Sequence, residues 1–141
     1  MEKLKVLIVD DDVRHRKTLS EIVEKTGMGI VVRTSSNGSL ALEWLKHYEV
    51  NVVLLDAVLR GDNSLDVLKN IKKGSAAVEV ILVSDGTPLS VETTLAGLKC
   101  GALDFIQAFS GSESEIHEDA VKSRLMIIFG QIKIKKSLYT L

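Results

Sequence analysis

The chain has one cysteine, one proline and one tryptophan. Cys100 has no second cysteine to pair with, so an internal disulfide is excluded, and so is a four-cysteine zinc site. Three histidines beside one cysteine lack the spacing of a zinc finger. Three Phe, two Tyr and one Trp are too few for a platform on which single-stranded bases stack. Charge of one sign is also missing. Eighteen Lys and Arg stand against nineteen Asp and Glu, a net charge of −1, so no basic face tracks a phosphate backbone and no direct nucleic-acid partner is expected. Apolar runs fall short of the ~18 residues that a membrane span needs. The opening Met1-Glu2-Lys3-Leu4-Lys5 leads into only four apolar residues before an acid, which is not a signal peptide. A soluble, reducing, cytoplasmic setting is the expectation. Pro88 stands alone and no Gly/Ser/Pro-rich tract marks a linker, so 141 residues with 45% hydrophobic and 26% charged content read as one globular domain.

What is present is a repeating pattern. Val6-Leu7-Ile8-Val9 is a continuous apolar run, mostly β-branched, closed by three acids, as in a strand buried on both faces. Leu19, Ile22, Val23 and Thr26 then fall at helical spacing and stop at Gly27, a C-terminal cap. Residues 30–34 form a second strand. Ser36 or Asn37 caps a helix carrying Leu40, Ala41, Trp44, Leu45 and Tyr48. Residues 51–56 repeat the first pattern, again ending in an acid. A polar turn over residues 60–64 precedes a helix with Leu65, Leu68 and Ile71. Residues 78–83 make a fourth strand with Ser84 at its end. Pro88 starts a helix carrying Val91, Leu95 and Leu98. Residues 103–106 make a fifth strand, and a polar loop over 110–114 leads to a last helix. Strands alternating with helices predict βαβ units and one parallel sheet covered on both faces.

Ligands of such sheets bind beyond the carboxyl ends of the strands. Asp10, Asp11 and Asp12 end strand one, Asp56 ends strand three and Ser84 ends strand four. Converging carboxylates repel one another unless a cation neutralises them. Mg²⁺, a hard cation with a preference for oxygen ligands, suits such a cluster. An aspartate beside it can serve as a nucleophile and form an acyl phosphate, with the Ser84 hydroxyl hydrogen-bonding a phosphoryl oxygen.

These strand ends, together with Ile81-Leu82-Val83-Ser84 and Gly101-Ala102-Leu103-Asp104-Phe105-Ile106, occur in the order and spacing of the receiver domain of two-component response regulators. The chain resembles that family over roughly residues 4–130. The resemblance implies a flavodoxin-like, doubly wound, five-stranded parallel sheet of order 2-1-3-4-5 with five helices, and a single receiver domain over 1–141 whose last helix covers about 115–138. It implies that Asp56 is the phosphoacceptor for a histidine kinase or phosphotransfer protein. Asp10, Asp11 and Asp56, with the backbone carbonyl of Val58, would hold Mg²⁺. Ser84 would turn toward the phosphoryl group and Phe105 would be the switch aromatic. An output partner or a second copy would bind the face of helix four, strand five and helix five.

The sequence departs from the family at defined points. The Lys-Pro pair after the aromatic is Ala108-Phe109 when counted without gaps, or Gln107-Ala108 with a one-residue deletion. Either way the lysine is absent, and with it a charge-assisted bond to the phosphoryl group. Arg60 and Ser64 stand where the family has Pro and Gly, and Asp85 replaces a small residue after Ser84. Weakened switching is expected, with a phosphorylation-independent pseudo-receiver as the alternative. A haloacid-dehalogenase-like phosphatase is a third reading. There Asp10 would be the nucleophile and Asp12 the acid, but Asp56 would have no role. In the last helix Val121, Leu125, Ile128 and Ile132 make the core stripe. Met126 and Phe129 point elsewhere and are expected to form a partner surface.

Overall fold

A computed structural model describes residues 2–109 and 117–139. The polar loop read over residues 110–114, and the first residues of the last helix as read from the sequence, lie outside the described residues. The elements run β1 (Leu4–Val9), α1 (Val13–Lys25), β2 (Gly29–Ser35), α2 (Gly38–His47), β3 (Val52–Asp56), α3 (Ser64–Gly74), β4 (Glu79–Ser84), α4 (Pro88–Lys99), β5 (Asp104–Gln107) and α5 (Glu118–Tyr139). The strands form one sheet in the order β2-β1-β3-β4-β5, with every adjacent pair parallel. This is the flavodoxin-like arrangement, with helices on both faces.

The continuous apolar strands follow from that double cover. In β1, Val6 and Ile8 pack under α1 and α5, while Leu7 and Val9 belong to the layer under α2 and α3. In β3, Leu54 and then Val53 and Leu55 divide in the same way. Polar side chains set the helix starts. Asp12, Asn37, Asn63 and Thr87 accept bonds from backbone N–H groups in the first turns of α1, α2, α3 and α4, which satisfies donors that have no partner within the helix. Gly27 ends α1 at φ +69°, a left-handed conformation that glycine adopts without penalty.

Two expectations fail on packing. Phe129 does not face outward. It is fully buried with Leu125 and Ile128, and its ring fills the space over Gly29, where a Cβ would come within 3.2 Å of Cε2. Because Gly29 has no side chain, α5 settles deep enough to bury a wider stripe than 3.6-residue periodicity alone assigns. Met126 remains exposed. In α4 the predicted apolar face is reversed except at Leu98, which packs partly buried against the core: Val91 and Leu95 are exposed, as is Leu89, and Ser90, Thr94 and Gly97 are buried. A Cβ on Gly97 would lie 2.4 Å from Leu82 Cδ1, so the helix sits on β4 through its small residues. No described helix is long and apolar enough to cross a membrane.

Candidate functional site

The carboxyl ends of β1, β3 and β4 open into a cleft of about 260 Å³ lined by Asp10, Asp11, Asp56, Ser84, Arg60 and Phe109, among others. Asp10 is almost wholly buried. Its backbone N–H donates to Ser35 O of β2 at 3.0 Å, and its Oδ1 accepts from Asp12 N at 2.9 Å. Asp56 Oδ1 accepts from Val58 N at 3.0 Å, and Ser64 Oγ donates to the Asp56 carbonyl at 2.8 Å. The two acids are therefore held on either side, Asp10 by backbone groups and Asp56 by the Val58 N–H and the Ser64 hydroxyl. One carboxylate oxygen from each of Asp10, Asp11 and Asp56 lies within 4.8 Å of the others.

Such crowding has an electrostatic consequence. Burial and the neighbouring Asp10 push the Asp56 carboxyl up to about 8, against the Val58 N–H bond that favours its charged form. Burial also raises Asp10, opposed by the Asp12 N–H and by His15. Asp12 differs. Its carboxylate pairs with Arg14 at 3.1 Å, which holds it below the usual carboxylate range, while Oδ1 caps α1. An acid engaged in this way is poorly placed to be the proton donor of a phosphatase. The set fits a hard divalent cation: three oxygen donors converge, no soft ligand intrudes, and the mutual repulsion that burial imposes calls for positive charge.

The structure brings Ser84 into this cleft and leaves Phe105 out of it. Ser84 is buried, with its Oγ 2.7 Å from Ser90 Oγ and accepting from Gly86 N at 3.1 Å. Ser90 lies in the first turn of α4, so the hydroxyl is already tied to that helix. Phe105 is exposed on β5. Asp85 lines the cleft, but its Oδ1 accepts from Thr87 N at 2.9 Å and Thr87 Oγ1 at 2.7 Å. Burial raises its pKa, but these bonds outweigh it and the group lies below its ordinary value.

At the end of β5, Ala108 is buried and carries no charge, and Phe109 turns inward. The Phe109 ring stacks on His15 with centroids 3.7 Å apart, and His15 Nδ1 is 3.4 Å from Asp10 Oδ2. Arg60, from the β3–α3 loop, is on the pocket as well. Its Nε lies 3.3 Å from Asp11 Oδ2, and its backbone N–H also donates to that oxygen. His15 and Ser90 are site residues that the sequence pattern does not single out. Each sits in the first turn of a helix that follows a site strand, and that position is the available signal.

Residues 6–118 match the model of the response regulator receiver domain. The chain is 35% identical over 141 residues to the protein-glutamate methylesterase/protein-glutamine glutaminase of Methanococcus maripaludis, covering 97% of this chain and 38% of that relative. It is 36% identical over 112 residues to the namesake from Pyrococcus abyssi, covering 79% of this chain and 30% of that protein. The chain thus spans little more than a third of the length of these relatives. Among solved structures, the response regulator domain of Thermotoga maritima CheB superposes with a TM-score of 0.76 at 28% identity, over 93% of this chain and 96% of that one. Brucella abortus NtrX superposes with a TM-score of 0.82 at 24% identity, over 99% of this chain and 29% of that one, which shows the shared fold.

Proposed function

The chain belongs to the response regulator receiver domain family, and on that premise we propose that Asp56 is a phosphoacceptor, charged by a histidine kinase or a phosphotransfer protein. One observation carries this reading: the carboxylate oxygens of Asp10, Asp11 and Asp56 converge within 4.8 Å at the mouth of the cleft that also holds the Ser84 hydroxyl. Asp10 and Asp11 would hold Mg²⁺ together with Asp56 and the Val58 carbonyl. When bound, the cation supplies the positive charge that lets Asp56 ionise and that balances the phosphoryl oxygens.

The chain's own groups do the remainder. An Asp56 oxygen attacks phosphorus. The bond from phosphorus to the donor breaks, and the donor leaves with the electron pair. The Val58 N–H bond and the Ser64 bond to the Asp56 carbonyl hold the nucleophile in position. Ser84 and Ser90 share a hydroxyl–hydroxyl bond in which either can donate, so a phosphoryl oxygen that takes the Ser84 proton would leave Ser90 as the donor of that pair and be reported to the first turn of α4. The exposed Leu95, Leu103 and Phe105 lie on α4 or at β5, and this is the surface proposed for an output partner or a second copy. On this reading the chain is a regulatory domain rather than the esterase for which its longer relatives are named.

Intact-mass measurement with acetyl phosphate and Mg²⁺ tests the proposal. The wild type should gain one phosphoryl group and Asp56→Asn none. An unmodified wild-type mass would instead support the pseudo-receiver, which Ala108 and the engaged Ser84 would then explain.

A further inference from the structure

The pocket has lost the cation that the family places at the end of β5, yet it is not without one. Two of its lining side chains carry or can carry positive charge, His15 and Arg60. The His15 ring is fixed between Phe109, stacked at 3.7 Å, and Asp10 at 3.4 Å. Arg60 is held differently. Its guanidinium touches Asp11 through Nε alone at 3.3 Å, its side chain is 81% exposed, and among the described residues its two Nη groups have no partner. The backbone N–H of Arg60 bonds to the same Asp11 oxygen, so the loop is anchored at the cleft whatever the side chain does. Meanwhile the old route is closed: Ala108 is buried, and the Phe109 ring occupies the wall of the cleft.

The geometry points to Arg60 as the phosphoryl-binding cation of this site, moved from the β5 end to the β3–α3 loop. This deepens the phosphoacceptor reading and rests on it. A guanidinium is suited to the task, since its planar fork matches phosphoryl oxygens two at a time and it stays charged throughout the working pH range. In the structure the fork leans on Asp11, one of the acids proposed to hold Mg²⁺. Once Asp11 is neutralised by a cation, that hold weakens, and the Nη groups can turn to phosphoryl oxygens in the same cleft. The move also changes what a phosphoryl group reports on. A lysine after β5 connects it to the β5–α5 side of the fold, whereas Arg60 connects it to the loop leading into α3.

Beryllofluoride, a phosphoryl mimic, is the probe, titrated with saturating Mg²⁺ into wild type, Arg60→Ala and Arg60→Lys and followed by amide chemical shifts. Mg²⁺ affinity of each protein is measured alone by calorimetry. Arg60→Ala should weaken beryllofluoride binding about tenfold or more, the loss expected for a bond to a charged group, while binding Mg²⁺ at least as tightly as wild type. Arg60→Lys should fall between the two. Equal beryllofluoride affinity in wild type and Arg60→Ala would overturn the assignment. A parallel loss of Mg²⁺ binding in Arg60→Ala would overturn it as well, by showing that Arg60 only shapes the acidic corner. If the wild type with Mg²⁺ bound takes up neither beryllofluoride nor phosphoryl, the phosphoacceptor reading itself fails, and the Arg60 assignment falls with it.

Discussion

The β1–β3 corner and the β4–β5 side of the cleft share one sheet edge but follow different rules. At the β1–β3 corner every acid the proposed chemistry needs is present, and hydrogen bonds fix Asp10 through Asp12 N–H and Ser35 and Asp56 through Val58 N–H and the Ser64 hydroxyl. On the β4–β5 side the hydroxyl remains but is engaged with Ser90, the aromatic Phe105 is exposed, and the cation is replaced by buried Ala108 and a Phe109–His15 stack. On the proposed reading, the difference separates the capacity to take up a phosphoryl group from the capacity to transmit it. A bound group shifts a two-state equilibrium only through contacts that differ between the states. With no charge-assisted contact at the β5 end, the bias that reaches β5 and α5 shrinks.

The comparison is broken most sharply at Asp56. Asp56→Asn should abolish the added phosphoryl mass completely, and residual labelling there would move the chemistry to another acid. Next is the pH dependence that crowding imposes on the corner without Mg²⁺. Because the folded Asp56 titrates at about 8 against an ordinary 3.8, the folded state keeps a proton that the unfolded chain has released. Its contribution is fully present below about pH 4 and is lost as pH rises through about 8. Thermal melts of the metal-free protein should therefore show Tm falling from pH 5 to pH 8, and Asp56→Asn should flatten that slope.

On the other side, Phe109→Ala removes a buried ring and its stack on His15, and should cost about 3 kcal/mol in chemical denaturation while leaving Mg²⁺ binding in place. Loss of Mg²⁺ binding in that variant would show that the two sides are one unit. Smallest is Asp11→Asn. Asp11 shares its oxygen with Arg60, so calorimetry should show Mg²⁺ affinity down by about tenfold, or ~1.4 kcal/mol.

How much of this was legible in the sequence divides along the same line. The parallel sheet and the acidic corner could be read because Val6–Val9 and Val52–Leu55 are solid apolar runs, as strands covered on both faces must be, and each stops abruptly at an acid on the ligand edge of the sheet, whereas the strand order comes from the resemblance to the receiver family. The expectation of a missing lysine rests on Gln107, Ala108 and Phe109 at the end of β5. What could not be read depended on packing between elements. The inward turn of Phe129 depends on the missing side chain of Gly29, and the reversed face of α4 depends on Gly97 meeting Leu82. The Phe109–His15 stack joins residues ninety-four positions apart, and no local pattern announces it. The contact of Arg60 with Asp11 likewise crosses from one loop to another.

The central claim is that uptake of a phosphoryl group and its transmission have come apart in this chain. Amide chemical shifts with and without beryllofluoride, in the presence of Mg²⁺, test it most directly. The account predicts large changes at residues 10–12, 56–60 and Ser84, with little change at Phe105 and along α5. Large changes at Phe105 and through α5, together with a conversion from monomer to dimer in sedimentation velocity, would contradict it, because they would show full transmission without the lysine.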